Sequence, residues 1–120
     1  MSTSCPLAGR TILVVEDEYV IAQQIVDNLM EAGAEVIGPV PTLERALREI
    51  DGHPQLDAAV LDINLRGERV FPAADVLVAR GVPFLFATGY DKAVIPERFA
   101  AVACCGKPPT LADLRGALKL

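Results

Sequence analysis

Four short apolar runs in this chain end in residues that can do chemistry. Residues 11–15 (TILVV) are closed by Glu16-Asp17-Glu18 and residues 58–61 (AAVL) by Asp62. Residues 82–87 (VPFLFA) are closed by Thr88-Gly89, and residues 101–105 (AVACC) by Gly106-Lys107-Pro108. Carboxylates gathered from two such runs do not all stay charged unaided. Two like charges about 4 Å apart repel by about 4 kcal/mol at an effective dielectric of about 20. Either one carboxyl keeps a proton or a cation sits between them. Oxygen donors without His or Cys suit a hard cation. Mg2+ is the natural choice, since it takes one or two carboxylates, keeps waters and often adds a phosphate oxygen. Asp is a nucleophile toward phosphoryl groups, and a metal and a Lys neutralise charge on the transferring oxygens. The pattern predicts Asp62 as phosphoacceptor, Lys107 as its ion-pair partner and Thr88 as a donor to a phosphoryl oxygen. Singly, each residue has a plainer use as a helix cap, an acidic first turn, a turn Thr or a surface Lys. Their joint placement at four strand ends points to a site.

The runs themselves lack polar alternation, as in strands covered on both faces. A shorter run, residues 35–37 (EVI), ends at Gly38-Pro39. Helical spacing fills the gaps. Ile21, Ile25 and Leu29 repeat over residues 19–32, with Gly33 placed to end the helix. Leu43, Ala46, Leu47 and Ile50 repeat over residues 43–50, behind Thr42 as N-cap. Val70, Ala74, Leu77 and Val78 give a third face ended by Gly81, and Leu111, Leu114 and Leu118 a last one opened by Thr110. Strands alternating with helices require parallel pairing with right-handed crossovers. The expected fold is a doubly wound, flavodoxin-like α/β domain with a five-stranded parallel sheet in the order 2-1-3-4-5. Its first and third strands flank the switch point where ligands bind. Pro96 falls inside the fourth crossover, and Pro inside a helix costs about 3 kcal/mol. The fourth helix is therefore expected to be short or irregular, with one turn starting at Pro96. Residues 1–10 read as a short loose leader and residues 11–120 as the domain, with no output domain expected.

Composition bounds the partners. Hydrophobic residues make up 52% of the 120, enough to bury a core. The net charge of −5 argues against nucleic acid and against an anionic membrane surface. Neither a signal peptide nor a membrane span is present in the sequence, so a cytoplasmic location is expected. Cys104 and Cys105 are neighbours on a strand and point to opposite faces, which disfavours a disulfide between them. No zinc-type Cys/His cluster occurs. His53, the single histidine, reads as a turn residue. A Gly-rich nucleotide loop is absent after the first strand, which argues against FMN or NAD.

The motifs ILVVEDE (12–18), VLDINL (60–65), FATGY (86–90) and GKPP (106–109) together resemble a response-regulator receiver domain of two-component signalling. The resemblance covers residues 10–120. It implies that Asp17, Asp62 and the backbone carbonyl of Asn64 bind Mg2+ directly, with Glu16 acting through a metal-bound water. It implies roles for Thr88 and Lys107 as above, and a cis Lys107–Pro108 bond. The donor would be a phosphohistidine on a sensor histidine kinase, and the receiver itself would catalyse the transfer. FATGY is similar to the stand-alone "FAT GUY" receivers, which pair with HWE-type or related kinases. Such a domain signals to a downstream protein partner or serves as phosphate sink or shuttle, and its fourth-to-fifth crossover face leaves a homodimer open. Most receivers place Tyr or Phe three residues before the Lys, where this chain has Cys104. Phosphorylation is therefore expected to order residues 89–105 rather than flip one ring. Tyr90 would shield the acyl phosphate. The competing functions are an aspartyl-phosphate hydrolase on external substrates, which usually shows Asp where Asn64 stands, and a flavodoxin-shaped binding module without phosphorylation.

Overall fold

A computed structural model describes residues 5–89 and 91–118 of the chain. Strands β1 (Thr11–Val15), β2 (Glu35–Val40), β3 (Ala58–Asp62), β6 (Phe84–Ala87) and β7 (Cys104–Cys105) form one parallel sheet in the order β2-β1-β3-β6-β7. A separate hairpin joins β4 (Asn64–Leu65) to β5 (Glu68–Arg69). With that hairpin set aside, the order is the expected 2-1-3-4-5. Successive side chains alternate faces along each strand. Leu13, Val15, Ala59, Leu61, Phe84 and Phe86 join one buried cluster. Ile12, Val14, Ala58, Val60, Leu85 and Ala87 join the other. Both faces are covered, and this is why the strand sequences show no alternation.

Helices α2 (Leu43–Gly52) and α3 (Phe71–Ala79) cover the first cluster, and α1 (Tyr19–Glu31) and α4 (Leu111–Leu118) the second. Their ends follow the sequence signals. Thr42 Oγ1 accepts from the Arg45 amide at 3.2 Å. Thr110 and Asp113 cap each other reciprocally, at 3.1 and 3.0 Å. Gly33, at φ +96°, closes α1: its N–H donates to Met30 O and that of Ala34 to Leu29 O, both at 3.0 Å.

Several local expectations change. Leu7 is fully buried, and its N–H donates to Ala32 O at 2.8 Å. The second half of the leader is thus docked, because Leu7 adds apolar surface to the cluster under α1 and α4. β2 runs on through Gly38-Pro39 to Val40. Gly38 at φ +105° forms an irregularity in the β1–β2 register, and a Cβ there would lie 2.7 Å from Val14 O. Both Gly38–Pro39 and Lys107–Pro108 are cis. β7 keeps only two residues of the expected five, since Ala101 and Val102 belong to a turn. Val78 is 57% exposed, while Phe71 and Ala73 are buried, because α3 is apolar nearly all round and its spacing does not choose a face.

Among its described residues the fourth crossover has no α-helix. It holds two short 3₁₀ turns, Asp91–Val94 and Glu97–Phe99, the second capped by Pro96. Phe99 is buried among Phe71, Phe84 and Phe86, stacked on Phe71 with centroids 5.7 Å apart. Arg98 grips Asp75 of α3 with two hydrogen bonds of 2.9 and 3.0 Å and lies over the Phe99 ring.

Candidate functional site

The sheet register assembles the site. Val15 pairs with Leu61, so Glu16 and Asp62 emerge side by side from β1 and β3. Asp62 pairs with Ala87, and Ala87 with Cys105, which brings Thr88 and the Gly106-Lys107 segment alongside. Asp17, Glu18, Asp62, Asn64, Thr88, Gly89, Gly106 and Lys107 line one cavity of about 610 Å³ at the carboxyl ends of the strands. Glu16 lies beneath it, 2% exposed. A roomier cleft of about 760 Å³ at the far end of α1, lined by Cys5, Asn28, Glu31 and Arg115, contains none of these residues. Size does not locate the chemistry here; the gathered acids do.

Lys107 Nζ lies 3.1 Å from Asp62 Oδ2 and 3.5 Å from both Glu16 Oε2 and Glu18 Oε1. Burial works against the ammonium, but Asp62, Glu16 and Glu18 outweigh it and hold its pKa above the ordinary value. Glu16 Oε2 accepts from the Glu18 amide at 3.1 Å, while Oε1 is buried with no hydrogen-bond donor. Burial first, then the neighbouring Asp62, pushes the Glu16 carboxyl up to about 8. Burial also raises Asp62, against the pull of Glu16 and Lys107. Of the two, Asp62 has the ammonium in direct contact, which favours its charged form. Thr88 is 4% exposed, and its amide donates to Cys105 O at 2.9 Å.

Oxygens of Glu16, Asp17 and Asp62 lie within 4.8 Å of one another. A buried carboxylate oxygen without a donor, beside two more carboxylates, fits a hard divalent cation. The structure thus brings together Glu16, Asp17, Asp62, Asn64, Thr88 and Lys107. Tyr90 lies outside the described residues. Glu18 was not singled out as a site residue from the sequence, since an acid there reads equally well as the start of α1. The Arg66 amide, which donates to Asp17 Oδ2 at 3.0 Å, was not foreseen either.

No family model matches the chain. Among solved structures it is similar to SdrG from Sphingomonas melonis Fr1, at 38% identity and a TM-score of 0.81, covering 99% of this chain and 97% of that one. It matches the BeF3-activated conformation of SdrG at a TM-score of 0.74, covering 93% and 95%. The CheY-like response-regulator receiver domain from Methylobacillus flagellatus shares the fold, at a TM-score of 0.76 and 22% identity over 92% of this chain and 96% of that one. The transcriptional regulatory protein PdtaR of Mycobacterium tuberculosis is 26% identical over 115 residues, 92% of this chain. The chain spans 56% of that protein's length. This chain belongs to the response-regulator receiver domains of two-component systems. Among the described residues, no helix is long and apolar enough to cross a membrane.

Proposed function

We propose that this receiver accepts a phosphoryl group on Asp62 and passes the event on as a change of shape. The observation that carries the reading is the contact of Lys107 Nζ with Asp62 Oδ2, 3.1 Å, at the floor of a cavity edged by acids. The donor is a phosphohistidine of a sensor histidine kinase. Its P–N bond breaks as an O–P bond to an Asp62 oxygen forms, and the electron pair returns to the imidazole. Lys107, in contact with Asp62 beforehand, neutralises the phosphoryl oxygens afterwards, and the Thr88 hydroxyl donates to one of them. Asp17, Asp62 and the Asn64 carbonyl would hold Mg2+, with Glu16 reaching it through a water, and the ion would supply positive charge to the phosphoryl oxygens. The FATGY segment supports a stand-alone receiver served by an HWE-type or related kinase in the cytoplasm. Its output is a protein partner or a phosphate store, with self-association through the crossover face as a further mode.

Incubation with acetyl phosphate and Mg2+ tests this. The wild type should gain one acid-stable, base-labile phosphate by mass, and Asp62→Ala none. A wild type that stays unlabelled would sink the reading. Continuous turnover of a simple phosphomonoester would replace it with hydrolysis.

A further inference from the structure

Between Asp62 and α3 the chain folds back as the β4–β5 hairpin, closed by Arg66 and Gly67 with φ of +52° and +90°. Positive φ at both central residues marks a type I′ turn, whose twist suits paired strands. In a two-residue hairpin the closing pair, here Leu65 and Glu68, exchanges the ladder hydrogen bonds, and the next pair, Asn64 and Arg69, does not. The N–H and C=O of Asn64 therefore both turn away from β5. The N–H points at Asp62 Oδ1, 3.4 Å away. The carbonyl leaves the same edge of the strand, beside the cavity that Asn64 lines. At the turn, the Arg66 N–H holds Asp17 Oδ2 at 3.0 Å, leaving the other carboxylate oxygen without this bond. Leu65, 1% exposed, anchors the hairpin to the core, and the Val70 N–H closes its base on Ile63 O at 2.9 Å.

We infer that this hairpin is the positioning element of the cation site, acting through Asp17 and Asn64. The inference rests on the cation-dependent reading given above. One small element sets two oxygen donors at once. A slip of one residue in its register would turn the Asn64 carbonyl to the opposite edge and move the Arg66 amide off Asp17. Groups that orient metal ligands commonly change affinity about 10- to 100-fold when lost.

Backbone strain at Gly67 isolates this role. A Cβ there meets nothing within 4 Å, so Gly67→Ala acts through φ alone. Gly81→Ala is the matched control, at φ +70° and equally open, after α3 and outside the cavity lining. In Mg2+ titrations followed by amide chemical shifts, Gly67→Ala should weaken binding about three- to tenfold, with Gly81→Ala within about twofold of wild type. Gly67→Asn, which tolerates left-handed backbone, should recover most of the affinity. Wild-type affinity in Gly67→Ala, or equal loss in Gly81→Ala, overturns the inference. A wild type that binds no Mg2+ overturns instead the reading of the site.

Discussion

Glu16 carries an unusual burden for a carboxyl. It is 2% exposed, and its pKa is pushed up to about 8, mainly by burial. In the unfolded chain the same group has an ordinary value near 4.5. Between these two values the folded protein keeps a proton that the unfolded chain has released. The unfolded state then binds fewer protons, so stability falls as pH rises through that window. Without metal, the free energy of unfolding should fall from pH 5 to pH 8 by an amount on the order of a few kcal/mol, read as a lower melting temperature. Saturating Mg2+ should flatten the slope, and Glu16→Gln should remove it while weakening Mg2+ binding. A metal-free protein equally stable at both pH values would contradict this account. Asp62, Thr88 and Lys107 were legible in the sequence because each sits one or two residues past an apolar run. Glu18 was hidden by its fit to the start of a helix. The Arg66 contact was invisible because it is made by a backbone amide, which every residue but proline has.

The fourth crossover shows how an element can be held without being a helix. Arg98 ties the second 3₁₀ turn to α3, and its hydrogen bonds hold the Asp75 carboxyl below the ordinary carboxylate value. The pair is half-exposed, and solvent screens such pairs so that they add little to stability. Arg98→Ala should therefore leave global stability nearly unchanged while speeding amide exchange over residues 93–102. If the crossover also carries the phosphorylation signal, Mg2+ with beryllium fluoride should move amide shifts through that stretch, well outside the cavity. Shifts confined to the cavity would deny the crossover that part. Pro96 announced the break because it cannot sit inside a helix. The Arg98–Asp75 grip was not legible, since its partners lie 23 positions apart on segments with no shared pattern. The β4–β5 hairpin escaped notice because Arg-Gly is a weak turn signal beside Asn-Gly or Asp-Gly.

At the scale of the molecule, the sheet divides the interior into two clusters, each roofed by two helices. This division was readable from the continuous apolar strands. What was not readable is that Leu7 belongs to one of the clusters, because a lone Leu in a polar stretch has no periodicity to declare it. Leu7→Ala should cost about 2–4 kcal/mol in denaturant unfolding with little change in m. A cost under about 0.5 kcal/mol would return the segment to a loose leader. The adjacent thiols of Cys104 and Cys105 extend this picture. Cys104 packs against the cluster beneath α2 and α3, and Cys105 against that beneath α1 and α4. One peptide bond thus separates two chemical clocks set into opposite compartments. Timed alkylation before and after treatment with acetyl phosphate and Mg2+, read thiol by thiol, would tell which compartment opens first.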